Sequence, residues 1–166
     1  MYRKTALIVI AILFMCVSFS PVNAEEPKIE YYIFIWHVAK SGDVGMDIEK
    51  TQQGVKVILR SPGGPLGRVS ATPSRAEEIG EVLKKTDDYY EKQAKSQDRK
   101  SEDLVAVGDY KVSFTSKRGR DFTVSVRGPE IFGGAALMGQ KEAVAMSAFL
   151  LKAKKLAALV DKKINP

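Results

Sequence analysis

Residues 109–128 constrain the fold more than any other part of the chain. They read DYKVSFTSKRGRDFTVSVRG, and apolar and polar residues alternate on both sides of a Gly-centred turn. Alternation with a period of two is typical of a strand that buries one face. The run therefore predicts an antiparallel hairpin of residues 110–116 and 122–127, whose core face carries Tyr110, Phe114 and Phe122.

The turn of this hairpin is strongly basic. It carries Lys117, Arg118 and Arg120, here called the basic tip, and residues 110–128 contain five basic residues against one acidic residue. Two explanations are open: the charges keep an exposed turn solvated, or they bind an anionic partner. The same surface extends along the outward positions of the hairpin, which are Lys111, Ser113, Thr115, Thr123, Ser125 and Arg127.

Four further strands are expected before the hairpin. They lie at residues 31–40, 46–50, 54–60 and 68–71, and both faces of the first one are apolar. A strand with two apolar faces is usually covered on both sides, so we expect the first strand to be central in its sheet.

Two long helices are expected as well. Thr72 followed by Pro73 is typical of a helix start, and helical spacing continues to about residue 97. A polar linker then reaches about residue 104. After the hairpin, a Gly-rich connection at residues 128–139 leads into a final helix at residues 140–163.

An internal repeat relates the two halves of the chain. Residues 55–70 align without gaps to residues 110–125, a shift of 55 positions with six identities in sixteen. Each copy precedes a long helix, so the chain divides into two hairpin-plus-helix units, about 30–97 and 104–163. The prediction is an α+β fold in which antiparallel sheets pack one face against both helices.

Strands followed by a long helix, twice over, form an element order that resembles the repeat arrangement of the PUR-alpha and Whirly nucleic-acid-binding proteins. The resemblance lies in the order of elements and in no motif. It implies single-stranded nucleic-acid or polyanion binding through the basic sheet face as an alternative function. Bases usually stack on exposed aromatic side chains, whereas the aromatic residues of this hairpin are expected on its core face.

The first 24 residues have the three parts of a secretory signal. Two basic residues precede an apolar run at residues 6–19, and VNA at residues 22–24 supplies small residues where a signal peptidase cleaves. As a helix the apolar run would rise about 21 Å, less than the bilayer core of about 30 Å. We therefore expect a signal peptide at residues 1–24, secretion or export to a bacterial periplasm, and one domain at residues 25–166.

Cleavage after Ala24 would also remove the only cysteine, Cys16. Met15 precedes it where lipid attachment requires a small residue, which argues against a lipoprotein. The mature chain would have 142 residues and a net charge of +4, because Arg3 and Lys4 leave with the leader. Without disulfides such a domain depends on its apolar core for stability.

The chain offers little for catalysis. His37 is its only histidine, and a zinc site would need further His or Cys ligands, which the mature chain lacks. The nucleophile and phosphate-loop motifs G-x-S-x-G, S-x-x-K and G-x-G-x-x-G do not occur. On a strand with apolar neighbours, His37 is expected to bond a backbone group. The sequence thus predicts no enzyme, no cofactor and no metal site.

Charge is unevenly distributed and favours a binding function. Residues 138–166 contain six lysines against two acidic residues, whereas residues 73–98 contain five basic against seven acidic residues. The second half of the chain is therefore the basic half. We expect an exported, non-enzymatic domain that binds a protein partner or an anionic envelope component through Lys111, Lys117, Arg118, Arg120 and Arg127.

Overall fold

The computed structural model describes residues 31–129 and 134–164. The expected leader with its cleavage site, and part of the Gly-rich connection, lie outside the described residues. The first sheet consists of β1 (Ile33–Ser41), β2 (Val44–Thr51), β3 (Gly54–Arg60) and β4 (Arg68–Ala71). The second consists of β5 (Ser101–Val107), β6 (Tyr110–Lys117), β7 (Arg120–Arg127) and β8 (Ala135–Met138).

A pair of helices follows each sheet. Helices α1 (Pro73–Leu83) and α2 (Thr86–Ala94) follow the first sheet, and α3 (Gln140–Leu150) and α4 (Ala153–Lys163) follow the second. A short 3-10 turn, Gly64–Gly67, lies between β3 and β4. In both sheets every neighbouring pair of strands is antiparallel and follows chain order. The predicted α+β fold with a two-unit pseudo-repeat is confirmed.

Each helix pair occupies the region where one long helix was expected. The predicted start of α1 is confirmed, because the Arg75 N–H donates to the Thr72 hydroxyl at 3.3 Å and Pro73 is the first helical residue. Its end is set by Thr86, whose hydroxyl donates to the carbonyl of Leu83 at 2.5 Å. Such a bond competes with continuation of the helix. Within the described residues, no helix is both long and apolar enough to cross a membrane.

The helices and sheets of the two halves interlock. Helix α2, from the first half, packs on β6 and β7, whereas α4, from the second half, packs on β2 and β3. Helices α1 and α3 pack on each other and contact both sheets. At their crossing a Cβ added to Gly80 would lie 3.0 Å from the Leu150 Cβ, so the close approach favours glycine. The buried residues of one apolar core therefore come from both sheets and from helices α1, α3 and α4.

Polar contacts fasten the halves at several points. The nearly buried Lys50 of β2 donates to a carboxylate oxygen of Asp161 on α4 at 2.9 Å. The hydroxyl of Tyr110 on β6 donates to the carbonyl of Ser70 on β4 at 2.6 Å. The Leu137 N–H of β8 donates to the Ser61 hydroxyl at 3.0 Å. These bonds satisfy buried polar groups that the meeting of the sheets would otherwise leave unpaired.

The repeat has a different alignment from the predicted one. Gly42 and Gly108 both begin a two-residue turn with φ of 56°, the first in the β1–β2 hairpin and the second in the β5–β6 hairpin. Equivalent residues are therefore 66 positions apart in β2 and β6. A bulge then adds one residue to β7, so equivalent residues of β3 and β7 beyond that bulge are 67 positions apart. The shift of 55 was wrong because it matched each strand with the neighbour of its true equivalent.

Three element predictions were also wrong. β5 begins inside the expected polar linker. The pattern hid this strand because one of its inward positions is Asp103, whose carboxylate is held by Lys92 and Gln93 of α2. β8 lies in the expected Gly-rich connection, where Ala136 and Met138 are buried. β1 is an edge strand and not a central one, and its outward residues Ile33 and Ile35 are each 48% exposed.

Candidate functional site

The β6–β7 hairpin presents the residues that the sequence singled out. Val112, Phe114, Val124 and Val126 are fully buried, and Tyr110 and Phe122 pack partly buried against the same core. The predicted alternation is therefore correct, and the other face of the hairpin points outward. That face, here called the outer face of the second sheet, consists of Lys111, Ser113, Thr115, Thr123, Ser125 and Arg127.

The basic tip lies beside two further cations. Arg99 and Lys100, from the loop between α2 and β5, line the same open cleft of about 760 Å³ as Lys117, Arg118 and Arg120. Asp121 is the remaining lining residue. We call these five cations the basic cleft. Glu102 pairs with Lys100 at 2.8 Å, but no carboxylate of the described residues pairs with the other four cations. The cleft therefore has an unneutralised positive charge.

The backbone holds the basic tip in a fixed place. The Arg118 N–H donates to the carbonyl of Asp98 at 3.1 Å, and a Cβ added to Gly119 would lie 2.6 Å from the carbonyl oxygen of Ala94. Arg118 has a φ of 50° and Gly119 a φ of 67°, so both central residues of the turn are left-handed. Asn is the usual non-glycine residue in such a turn, and arginine is an uncommon choice. The carbonyls at the C-terminal end of α2 add a modest attraction for cations.

The five predicted site residues fall into two groups. Lys117 and Arg120 are cross-strand partners at the turn, next to Arg118, and Lys111 and Arg127 are cross-strand partners at the other end of the hairpin. We call this second group the far pair. Lys111 and Lys117 are six positions apart along β6, which corresponds to about 20 Å at roughly 3.3 Å per residue. The predicted residues thus share one surface without forming one contact site.

The first repeat provides an internal comparison for these charges. The turn equivalent to the basic tip is Gln52-Gln53, flanked by the paired residues Thr51 and Gly54. Its strands pair and its turn closes without a single charged side chain in those four positions. The fold therefore does not require a basic residue at this place in the repeat.

The two arginines on the outer face of the first sheet are paired with carboxylates. Arg68 of β4 pairs with Glu49 of β2, and Arg60 of β3 pairs with Asp47 of β2. The residues equivalent to Asp47 and Glu49 in the second sheet carry hydroxyl groups instead of carboxylates. The two outer faces therefore differ, because both arginines of the first are paired with carboxylates, although its Lys56 is not, and among the described residues the far-end cations of the second, Lys111 and Arg127, have no such partners.

His37 belongs to this paired network. Its Nδ1–H donates to Asp47 Oδ1 at 2.8 Å, and Arg60 Nη2 donates to the same oxygen at 2.9 Å. The expected backbone partner of His37 was wrong, since the imidazole bonds a carboxylate whose side chain is only 5% exposed. The cluster joins β1, β2 and β3 on the face opposite the core.

The ionisation of this cluster follows from its hydrogen bonds. Burial alone would raise the pKa of Asp47, but hydrogen bonds from Arg60 and His37 outweigh it and lower that pKa. The same contact with Asp47 raises the pKa of Arg60. Asp47 is therefore ionised at neutral pH with both oxygens engaged, and the stability that it contributes is lost only in acid, as pH falls through its lowered pKa.

The His37 cluster does not resemble a metal centre. Among the described residues, no group of three or more His, Cys, Asp or Glu side chains is arranged to hold a metal ion. An open cleft of about 530 Å³ lies beside His37, with Lys40, Asp43 and Arg60 in its lining. Since both oxygens of Asp47 are already bonded, the arrangement is that of an ion-pair network between strands.

Arg99 and Lys100 are the site residues that the sequence reasoning missed. They were assigned to a polar linker, and nothing local places them next to a turn about eighteen residues further along the chain. An adjacent pair of basic residues was the available signal. This pair lies beside the basic tip because the end of α2 packs against Gly119, a tertiary contact that the sequence does not reveal.

Comparison with known proteins does not assign the chain to a family. No protein-family model matches the chain, and no curated protein is significantly similar to it in sequence. Function must therefore be argued from the geometry of the site.

Replacing Arg118 with Asn tests whether the basic tip serves folding. Asn adopts the left-handed conformation more readily, so Arg118→Asn should leave the free energy of unfolding unchanged or raise it by up to about 1 kcal/mol. Chemical denaturation measures this change. Arg120→Asn is the matched control, because it removes one charge from the same turn at a residue without positive φ. A clear loss of stability specific to Arg118→Asn would show that the Arg118 side chain supports the fold.

Proposed function

We propose that the chain is a non-enzymatic binding domain whose basic cleft holds the anionic group of a protein partner or of an envelope component. The observation that carries the proposal is the contrast between the repeats. The same turn is uncharged in the first repeat and carries three cations in the second, although both turns close a hairpin of the same sheet architecture. Charges that the fold does not need are candidates for binding.

The geometry of the basic cleft supports recognition of an anion. Two arginines and a lysine project from a turn that is fixed by its bond to Asp98 and its contact with Ala94. Arginine presents a planar fork of N–H donors that matches carboxylate and phosphate groups. Pre-placing the cations lowers the entropic cost of ordering them on binding. Because the cleft is open to solvent, we expect an affinity that falls as salt rises.

Nucleic acid is the second candidate, and the surface favours it less. It would bind the same cations, and the order of elements supports it by resemblance alone. Among the described residues, the outer face of the second sheet has no aromatic side chain on which a base could stack. Phosphate contacts without stacking give weak and strongly salt-dependent binding.

Removing the charge of the basic tip tests the proposal. The variant Lys117→Gln/Arg118→Gln/Arg120→Gln should bind tripolyphosphate at least about tenfold more weakly at low salt, because each lost cation costs a fraction of a kcal/mol or more. Isothermal titration calorimetry at several salt concentrations measures the affinity.

The matched control is Lys84→Gln/Lys85→Gln/Lys155→Gln, which removes three exposed lysines away from the cleft. An equal loss of affinity in this control would mean that only net charge matters. No binding of tripolyphosphate by the unmodified protein at low salt would contradict the proposed function.

The leader supports export as the setting of this function. We propose that the binding domain acts outside the bacterial cytoplasm, in the periplasm or beyond it, after cleavage following Ala24. Expression of the full chain in a bacterium should give a product whose intact mass corresponds to a start at Glu25. A product that keeps residues 1–24 would contradict export by this route.

A further inference from the structure

Cations without carboxylate partners lie at both ends of the outer face of the second sheet. The basic tip is at one end and the far pair, Lys111 and Arg127, is at the other. No carboxylate of the described residues pairs with Lys111 or Arg127. The carboxylates nearest the path are Asp121, beside the tip at the bulge of β7, and Glu102 of β5, which pairs with Lys100. About 20 Å of sheet, at roughly 3.3 Å per residue, separates the two ends. A single small anion can neutralise only one of them.

The surface between the two ends is lined by hydroxyl groups. Ser113 pairs across the strands with Ser125, and Thr115 with Thr123. The two threonine hydroxyls make long bonds of 3.3 and 3.4 Å to backbone carbonyls of their own hairpin. Hydroxyls at these positions can donate to phosphate, carboxylate or sugar oxygens.

Apolar side chains flank this hydroxyl strip. Leu104 of β5 and Leu137 of β8 stand on either side of the Ser113–Ser125 pair, and they are 59% and 50% exposed. They offer contact to methylene groups or the faces of sugar rings and offer no aromatic ring. The strip therefore suits a polymer whose backbone is aliphatic or carbohydrate.

We propose that the outer face of the second sheet is a track for a linear polyanion without bases, which spans from the basic tip to the far pair. The inference rests on the proposed function, because it extends the anion held in the basic cleft into a chain. Charge complementarity at both ends fixes the ligand class, and the hydroxyl strip between them fixes its path. Binding at two linked positions raises affinity through effective concentration.

The first sheet shows what such a track must lack. Its equivalent row carries Asp47 where the second sheet has Ser113, as the cross-strand rows His37–Asp47–Ile58 and Leu104–Ser113–Ser125 demonstrate. A carboxylate at that position would repel a polyanion at the middle of the path. Ser113→Asp therefore transfers the first sheet's residue to the second sheet with little change in side-chain size.

The test compares the affinities of short and long inorganic polyphosphate for the mature chain, residues 25–166. Long-chain polyphosphate should bind at least about tenfold more tightly than tripolyphosphate, since it reaches both ends of the track. Lys111→Gln/Arg127→Gln and, separately, Ser113→Asp should remove most of this gain. Tripolyphosphate affinity should stay within about twofold, because salt screens charges across the distance to the tip, which at roughly 3.3 Å per residue is about 13 Å from Ser113 and about 20 Å from the far pair. Lys152→Gln/Lys155→Gln is the control for loss of two exposed lysines and should keep the gain.

The outcomes separate the two proposals. If tripolyphosphate binds but chain length, the far-pair variant and Ser113→Asp have no effect, the track is wrong and the basic cleft stands. If tripolyphosphate does not bind, the proposed function itself is contradicted. An oligothymidine of matched charge that binds more tightly than long-chain polyphosphate would overturn the exclusion of bases. Circular dichroism of each variant shows that the fold is retained.

Discussion

The rest of the structure depends on the exchange of helices between the two halves. An antiparallel sheet with one apolar face needs a cover, and here α4 of the second half covers the first sheet while α2 of the first half covers the second. The contact of the buried Lys50 with Asp161 and the stacking of Tyr89 on Phe114 each join the sheet of one half to a helix of the other half. Neither half can bury its own apolar face fully, so the halves are stable as one unit.

This interlock also determines which surfaces remain for binding. Both inner faces and the apolar stripes of the helices are buried in the shared core, which leaves the two outer sheet faces, the hairpin turns and the charged faces of the helices. Because the repeats are equivalent, the first outer face acts as a natural control for the second. Its two arginines, Arg60 and Arg68, are paired with Asp47 and Glu49, whereas among the described residues Lys111 and Arg127 of the second have no such partners. A difference at matched positions is more informative than charge alone.

Local patterns in the sequence predicted what depends on local physics. The alternation around Gly119 gave the β6–β7 hairpin and its outward face, and the Thr72-Pro73 pair gave the start of α1. Features that depend on distant partners could not be read in this way. Asp103 occupies an inward strand position only because Lys92 and Gln93 of α2 reach it, and Arg99 joins the basic tip only because α2 ends against Gly119.

The central claim is that the two halves form a single interlocked unit, and separating them tests it most directly. Fragments 25–98 and 99–166 can be produced apart and then mixed, with thermal unfolding followed by near-ultraviolet circular dichroism. Each fragment alone should lack a cooperative transition, and an equimolar mixture should recover one, because each fragment supplies the helix that covers the other's sheet. A cooperative transition in either fragment alone, with no complex on mixing, would contradict the interlock.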